Sequence, residues 1–208
     1  MYIVAVANSK GGCGKTTVAT HIAAHFAGRN FRTGLADLDR QQSARGWLGR
    51  RPESLPAIRA VDLDVEDGRL PKGIDRLVVD CPAAMAKATV KDVVQQADVI
   101  VVPVLPSTFD EDGTVRFLKQ LMKLKPVRKN RREVAFVANR VRARTRAADR
   151  LEGFLTELSF PVAARLRDTQ QYANAVADGL SLFETGGARA QGHREEWLPL
   201  FDLLERWA

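Results

Sequence analysis

The 208-residue chain lacks several features that would place it in other classes of protein. Its two cysteines are too few for a disulfide framework, which excludes the small disulfide-stabilised secreted domains. No apolar run reaches the roughly 18 residues that a transmembrane helix requires, and no basic segment precedes the apolar run Tyr2–Ala7, as it would in a signal peptide. These absences predict a cytoplasmic protein with reduced thiols.

Acidic residues are scarce in one part of the chain. The whole sequence carries 32 Lys and Arg against 25 Asp and Glu, which gives a formal net charge of +7. Between Arg116 and Arg150, thirteen Lys or Arg residues stand against two acids, Glu133 and Asp149. A solvated helix face can produce such a cluster, but the one-sided charge favours contact with nucleic acid or another polyanion.

Short apolar segments alternate with helical patterns along the chain. Near-continuous apolar strands separated by helices are typical of a parallel sheet covered on both faces. We therefore predict an α/β fold in one domain over residues 1–208, with a single doubly wound, mostly parallel sheet. The predicted strands are Tyr2–Ala7, Gly34–Leu38, Arg76–Asp80, Asp98–Val104 and Glu133–Asn139, with weaker ones at Ile58–Val61 and Phe160–Ala163. The predicted helices are Lys15–Ala27, Lys87–Gln96, Asp110–Leu124, Thr145–Leu158 and Glu195–Arg206, with a surface excursion over Arg50–Gly73 and a flexible loop over Thr185–Gly192.

Polar side chains gather at the ends of these predicted strands. Parallel sheets bind ligands beyond the carboxyl ends of their strands. The residues found there are Asn8, Asp37, Asp39, Asp80 and Asn139. We expect the functional site at this edge of the sheet.

The segment Ser9–Thr16 (SKGGCGKT) matches the phosphate-loop pattern G-x-x-x-x-G-K-[ST] except at its first glycine. Glycines allow backbone N–H groups to turn toward a phosphate, and the helix that follows presents its positive N-terminal end. Lys15 supplies a cation for the β- and γ-phosphates, and the Thr16 hydroxyl is a hard oxygen ligand for Mg²⁺. Because a predicted strand precedes the loop and a helix follows it, we predict a site for ATP and Mg²⁺.

A second lysine, Lys10, precedes the glycines. The stretch Lys10–Thr17 (KGGCGKTT) resembles the deviant Walker A motif of the ParA/MinD family of cytoskeletal ATPases. In that family the early lysine reaches across a dimer interface to the partner's nucleotide, and the resemblance implies the same role for Lys10. Leu35–Gln42 (LADLDRQQ) resembles the family's D-x-D-P-Q motif, which implies that Asp39 polarises the attacking water and that Asp37 lies near Mg²⁺. Arg40 replaces the proline of that motif.

Three later segments continue the resemblance. Leu77–Ala83 (LVVDCPA) resembles the family's Walker B motif, which implies that Asp80 holds Mg²⁺ through water, although alanine replaces the second proline. Val101–Ser107 (VVPVLPS) matches its V-x-P-x-x-P-S stretch, and Val137–Arg140 (VANR) resembles the strand end that contacts adenine, here through Asn139. The ordered motifs cover nearly the whole chain and are closest to the small partition and cargo-positioning members.

The resemblance implies a set of site residues and a function. It implies catalytic roles for Lys10, Lys15 and Asp39, metal ligation by Thr16, Asp37 and Asp80, and nucleotide contacts by Lys10, Gly11, Gly12, Cys13, Gly14, Lys15, Thr16, Thr17 and Asn139. The implied function is a slow, partner-stimulated ATPase that dimerises on ATP, binds double-stranded DNA non-specifically and positions a plasmid, chromosome or protein cargo. Expected partners are a second copy of the chain, DNA and a ParB-like or cargo-adaptor activator, in the cytoplasm on the nucleoid.

Four arginines are candidate DNA contacts, because the family's basic DNA-binding residues tend to lie in its C-terminal part. They are Arg165, Arg167, Arg189 and Arg194, and the Arg140–Arg146 cluster is the next candidate. Since the first strand begins at Tyr2, we expect no separate helix-turn-helix domain before it.

Two alternatives stay open at this point. The first is a membrane-associated, MinD-like spatial regulator, which would use an amphipathic C-terminal helix as its anchor. The tail Glu195–Ala208 carries four acids, which disfavours binding to anionic lipid. The second is a metabolic phosphotransferase or reductase, but such enzymes usually bring a substrate domain or metal-cluster cysteines. His21 and His25 have a metal-capable spacing without an evident third ligand, so we expect them to be packing or surface residues.

Overall fold

The computed structural model describes residues 1–129 and 131–208, and for residues 188 and 189 it describes the backbone alone. Within these ranges seven strands form one sheet: β1 (Tyr2–Val6), β2 (Thr33–Asp37), β3 (Ile58–Val61), β4 (Arg76–Asp80), β5 (Val99–Val104), β6 (Glu133–Val141) and β7 (Val162–Arg167). Their order is β3-β2-β4-β1-β5-β6-β7, and every neighbouring pair is parallel. The predicted fold class is confirmed.

Helices cover both faces of this sheet. They are α1 (Lys15–Gly28), α2 (Ser43–Arg50), α3 (Lys87–Gln96), α4 (Thr108–Leu121), α5 (Lys125–Arg128), α6 (Arg146–Glu157), α7 (Gln170–Ala177), α8 (Ala188–Glu195) and α9 (Leu198–Arg206). Apolar residues of α3 to α6 pack on one face, and those of α1, α2 and α9 pack on the other. Strand β5 shows the reason, because Ile100 and Val102 belong to the first core and Val99 and Val101 to the second.

The order of the strands positions the site. Strand β1 lies between β4 and β5, so the chain leaves β1 toward β2 on one side and later extends through β5, β6 and β7 on the other. Such a reversal opens a crevice beyond the carboxyl ends of the central strands. The loop after β1 therefore emerges at the place where this architecture binds its ligands.

Some predicted elements differ from the observed ones. The predicted flexible loop Thr185–Gly192 is wrong over its second half, because α8 begins at Ala188. The predicted helix Glu195–Arg206 is divided, since a turn at Glu196 and Trp197 separates α8 from α9. The last strand begins two residues later than predicted and continues to Arg167.

Candidate functional site

The phosphate loop joins β1 to α1, and two of its glycines have backbone angles that favour glycine. Gly12 has φ +77° and Gly14, the cap residue of α1, has φ +90°. A Cβ at Gly14 would lie 2.2 Å from Nδ2 of Asn139, which donates a 2.8 Å hydrogen bond to the Cys13 carbonyl. Asn139, at the end of β6, therefore supports the loop directly.

Helix α4 supports the loop from the other side. The Asn8 side chain donates to the Pro103 carbonyl at 2.8 Å and to the Thr114 hydroxyl at 3.1 Å. The Ser9 hydroxyl donates to the Gly113 carbonyl at 3.0 Å. Because Pro103 lies near the end of β5 and the other two partners lie in α4, the loop is held between the ends of β5 and β6. Sequence reasoning did not identify this support.

Lys15 and Lys10 have different surroundings. Lys15 is 7% exposed, and its Nζ donates a 2.8 Å hydrogen bond to the Lys10 carbonyl across the loop. The Lys10 side chain is half-buried, with its Nζ 5.8 Å from the centre of the Phe109 ring. Phe109 is 75% exposed, so Lys10 lies on an open surface beside the loop. An ammonium on an open surface is available to a second molecule.

Thr16 and Asp80 form the candidate metal site. The Thr16 hydroxyl donates a 2.7 Å hydrogen bond to Oδ2 of Asp80. Asp80 is 1% exposed, and its Oδ1 has no hydrogen-bond partner within the described residues. Burial raises the pKa of the Asp80 carboxyl to about 7, and the negative charge of Asp37 adds to this while the Thr16 hydrogen bond opposes it. A bound cation would favour the ionised carboxylate.

These oxygens fit Mg²⁺. A hydroxyl beside an unpaired carboxylate oxygen is the hard donor set that Mg²⁺ prefers. Among the residues that the structure describes, no cluster of three or more His, Cys, Asp or Glu side chains could hold a metal by itself. Mg²⁺ does not need such a cluster, since it is commonly held by one or two protein oxygens together with phosphates and water.

Asp37 and Asp39 follow the end of β2 and play different structural parts. Asp37 lies opposite Asp80 in the register of β2 and β4. Its carboxylate accepts backbone hydrogen bonds from Asp39, Ala44 and Arg45 at 3.0, 2.9 and 3.1 Å, which satisfies N–H groups at the start of α2. Within the described residues, the Asp39 carboxylate accepts one hydrogen bond, from the Gln41 N–H at 3.0 Å. The carboxylate of Asp39 therefore keeps more free hydrogen-bond acceptor capacity than that of Asp37.

A cavity of about 460 Å³ opens beside the phosphate loop. Thr17 and Asn139 line it together with residues from the end of β6 and from the segments after β6 and β7, which are Arg140, Arg142, Asp168, Thr169, Gln170, Tyr172, Ala173 and Val176. This volume lies within the usual range of small-molecule sites. The rule that ligands bind beyond strand ends could have indicated Asp168 and Thr169, had the end of β7 been placed correctly.

The candidate DNA contacts are mostly engaged within the chain. Arg165 makes two hydrogen bonds to Glu152, at 2.6 and 2.8 Å, and Arg167 pairs with Glu196. Arg194 donates to the carbonyls of Leu182 and Thr185 and is partly buried. The Arg189 side chain lies outside the described part of the structure. These assignments stay predictions, and the geometry favours other cations, as argued below.

The cysteines and the paired histidines are packing residues. Cys13 and Cys81 are buried and free. His21 is fully buried, where its Nδ1 lies 2.8 Å from the Thr17 carbonyl and its Nε2 accepts from the Leu182 N–H at 3.2 Å. His25 stacks on Phe201 with ring centres 3.6 Å apart. The prediction that the two histidines are packing or surface residues agrees with these contacts.

The C-terminal helix packs on the domain. Trp197, Leu200, Phe201 and Leu204 are buried in the core shared with α1. Among the described residues, no helix has the length and apolar character needed to cross a bilayer. The apolar face that a membrane anchor would need is thus largely occupied by the protein itself.

Comparison with known proteins identifies relatives for almost the whole chain. The model of the CobQ/CobB/MinD/ParA nucleotide-binding domain matches residues 4–182. The chain is 32% identical over 205 residues to the "Maintenance of carboxysome distribution protein A" of Halothiobacillus neapolitanus, covering 94% of this chain and 92% of that protein. A protein of the same name from Gloeobacter kilaueensis is 40% identical over 111 residues, which is 52% of this chain and 51% of that one.

Solved structures share the fold. A plasmid partition protein from Borrelia burgdorferi bound to AMPPNP superimposes with a TM-score of 0.75 at 14% identity, covering 97% of this chain and 98% of that one. Apo McdA from Cyanothece gives a TM-score of 0.78 at 15% identity, covering 96% and 99%. At these identities the likeness concerns the fold alone.

Proposed function

Since the chain belongs to the CobQ/CobB/MinD/ParA family of nucleotide-binding domains, we propose that it is an ATPase that positions a cargo. Its ATP-bound form dimerises and binds double-stranded DNA without sequence preference. The observation that carries the proposal is the meeting of Lys15, Thr16 and Asp80 at one end of the sheet, with Lys10 on the open surface beside them.

Nucleotide binding follows from the loop and the neighbouring cavity. Backbone N–H groups of Gly11–Gly14 and the N-terminus of α1 bind the phosphates, and the Lys15 ammonium exchanges its loop carbonyl for phosphate oxygen. The cavity bounded by Asn139 and Thr17 holds the nucleoside. The side chains of Thr16 and Asp80 would hold Mg²⁺, which when bound neutralises charge on the phosphate oxygens.

Hydrolysis is assigned to Asp39. Water attacks the γ-phosphorus, the bond to the bridging oxygen of the β-phosphate breaks, and ADP and phosphate leave. Asp39 orients that water, because its carboxylate accepts a single hydrogen bond from the part of the chain that the structure describes and retains free acceptor capacity. Asp37 instead holds the start of α2, so its contribution near the metal is mainly electrostatic.

The dimer depends on Lys10. Lys10 lies at the open edge of the phosphate loop, where its side chain can reach the nucleotide of a second copy. This contact across the interface would couple ATP binding to dimerisation, because the γ-phosphate supplies the negative charge that Lys10 contacts.

The cargo is proposed from the Halothiobacillus relative, which matches over 92% of its length. That relative carries the name of a carboxysome distribution protein. The nearly complete coverage favours a large protein assembly as the cargo of this chain, with a plasmid as the second candidate. An adaptor on the cargo would stimulate hydrolysis and release the dimer from DNA.

Three variants test the switch. Lys15→Ala should weaken ATP binding by about tenfold or more, because a charge-assisted contact to phosphate is lost. Lys10→Ala should bind ATP as a monomer, and Asp39→Ala should accumulate as an ATP-bound dimer without turnover. Calorimetric titration, light scattering with ATP and steady-state phosphate release measure the three effects. A full-strength Lys10→Ala dimer, or unchanged ATP affinity in Lys15→Ala, would contradict the proposal.

A further inference from the structure

A second, smaller cleft lies between α3 and the end of α4. Its volume is about 140 Å³, and it is lined by Lys87, Val90, Gln120, Lys123 and Leu124, none of which lines the nucleotide cavity. We call it the α3–α4 cleft. The walls are mostly apolar, because Val90, Leu124 and the methylene chains of the two lysines supply most of the surface.

The size of the cleft suits one large apolar side chain. Its volume is close to the roughly 150 Å³ of a well-studied engineered cavity that takes up a benzene ring. Met122, beside Lys123 in the sequence, is 42% exposed, so apolar surface continues beyond the cleft. An apolar anchor placed here would bury surface that the protein alone leaves open to water.

The rim of the cleft is basic. Lys87 and Lys123 lie on opposite sides of it, and Lys91 follows Lys87 by one turn of α3 on the same face. All three are exposed, and in the described ranges none makes a salt bridge. Arg150 and Arg165, by contrast, pair with glutamates of the same chain. The positive charge beyond the rim continues through Lys125, Arg128, Lys129 and Arg131, all exposed.

We propose that the α3–α4 cleft is a docking site for an acidic segment of a partner protein, which inserts one large apolar side chain between the two helices. The apolar walls select the anchor, and the lysines on the rim complement acidic residues around it. DNA fits this surface less well, because a phosphate backbone has no apolar group to fill the cleft.

The cleft is connected to the phosphate site through the chain. Lys87 opens α3 only seven residues after Asp80. Within that segment, the Cβ of Ala83 would lie 3.9 Å from a Cβ built on Gly11 of the phosphate loop. A partner seated in the cleft would therefore contact the helix that directly follows the Walker B segment. Docking itself requires no nucleotide.

The test selects binders without assuming their sequence. A phage library of random peptides of about 12 residues is selected on the full chain without nucleotide. Enriched peptides should carry several acids and one large apolar residue. Anisotropy of a labelled winner should show that the double variant Lys87→Glu, Lys123→Glu weakens binding by about tenfold or more. Gln120→Trp fills the cleft without changing its charge, so it should weaken peptide binding too. This variant keeps the test valid if the charge variant does not fold.

The matched control is the double variant Arg69→Glu, Lys72→Glu, which makes the same charge change on exposed residues of the Arg50–Gly73 excursion. It should bind the peptide as the wild type does. Enriched peptides without acids, or binding that ignores Lys87, Lys123 and Gln120, would overturn the proposal. The proposal would also be overturned if no acidic peptide were enriched and the Lys87→Glu, Lys123→Glu variant lost duplex DNA binding. That result would assign the surface to DNA. The peptide selection and the anisotropy measurement contain no ATP, so their outcomes do not bear on the proposed ATPase, and the DNA comparison alone is made with ATP.

Discussion

Gly14 is the phosphate-loop residue with the least freedom to change. Its φ of +90° disfavours any side chain, and a Cβ would lie 2.2 Å from Nδ2 of Asn139. Gly12 has a similar φ of +77°, but, apart from its two chain neighbours, no atom of the described residues lies within 4 Å of its Cβ position. A comparison of the same substitution at the two glycines therefore separates the cost of backbone strain from the cost of steric collision.

We expect Gly14→Ala to cost more stability than Gly12→Ala. Gly12→Ala should lose about 1 kcal/mol from its left-handed backbone alone. Gly14→Ala should lose about 2–3 kcal/mol, because it also displaces Asn139 from the Cys13 carbonyl. Urea unfolding measures the stabilities, and calorimetry should show the larger loss of ATP affinity in Gly14→Ala. Equal losses in both variants would refute this account.

Asp37 and Asp39 should give opposite phenotypes. Asp37→Ala leaves three backbone N–H groups near the start of α2 without their acceptor, so we expect a loss of about 1–2 kcal/mol in the free energy of unfolding. Asp39→Ala removes one exposed hydrogen bond and should be nearly as stable as the wild type, yet inactive. Urea titration and phosphate release check both. An Asp39→Ala variant that still hydrolyses ATP would contradict the role of Asp39 in catalysis. An Asp37→Ala variant of wild-type stability would contradict the role of Asp37 in supporting α2.

At the scale of elements, apolar pattern predicted the strands well. Arg76–Asp80 and Ile58–Val61 were predicted with their observed bounds, as was the helix Lys87–Gln96. These segments have strong local signals, because alternation or continuous apolar residues fix their type. The phosphate loop and Asp80 were likewise predictable, since each follows directly from a strand end.

Short helices were missed because tertiary contacts stabilise them. Helix α2 contains Gly46 and Gly49, which weaken its intrinsic preference, and it is held by the Asp37 carboxylate and by Trp47, which is buried and donates to the Leu180 carbonyl. Helix α8 follows two glycines and contains a third. The cavity wall after β7 was missed for a related reason, since the predicted strand ended at Ala163, four residues before Arg167.

The packing of α1 against the C-terminal segment predicts a pH effect. His21 stacks on Trp197 with ring centres 4.9 Å apart, and its two nitrogens face the Thr17 carbonyl and the Leu182 N–H. Burial lowers the pKa of His21 to about 4, because a second proton would have no acceptor at Nε2. The unfolded chain binds that proton near its ordinary pKa, so the stability contribution is present above about pH 6.5 and is lost as the pH falls toward 4.

We therefore expect this histidine to remove about 2 kcal/mol of stability at pH 5 relative to pH 8. Urea unfolding of the wild type and of His21→Asn at both pH values isolates the contribution of His21 to stability, because the two proteins have the same carboxylates. The stability difference between the two proteins should narrow toward pH 5. A difference that is constant with pH would show that His21 does not titrate in this range.

At the scale of the whole molecule, the basic block of the sequence becomes two surfaces. Lys123–Lys129, with Arg131 and Arg132, lies between the end of α4 and the start of β6, at the amino edge of the sheet. Arg140–Arg146 spans the end of β6 and the segment after it, at the carboxyl edge beside the cavity next to the phosphate loop. Among the described residues of these two surfaces, those of the second lie beside the phosphate loop. It is therefore the better placed of the two to bind DNA in response to ATP.

Arg144 and Arg146 are the cations of that surface best suited to a test. Both are exposed, and within the described ranges neither is paired with a carboxylate. Arg142 pairs with Asp168, and Arg140 lines the cavity, so replacing either would also disturb the nucleotide site. We expect Arg144→Ala with Arg146→Ala to weaken ATP-dependent binding equally on unrelated duplexes, because phosphate contacts do not depend on base sequence.

The matched variant is Arg165→Ala with Arg167→Ala, which removes the same charge from side chains already occupied by Glu152 and Glu196. Its effect on DNA should be smaller, since guanidinium groups held by carboxylates must first be released before they can contact phosphate. In a gel-shift series with ATP, ADP and no nucleotide, the slope of log affinity against log salt should fall by about 1.8 for the Arg144, Arg146 variant. ATP-driven dimerisation should be unchanged in both variants, so a loss of DNA binding cannot be attributed to the switch. Parallel sedimentation with anionic vesicles should show no binding, because the apolar face of α9 is buried. Three results would contradict DNA binding by the surface after β6. They are DNA binding that does not depend on nucleotide, a larger effect of the Arg165, Arg167 variant, and vesicle binding without DNA binding.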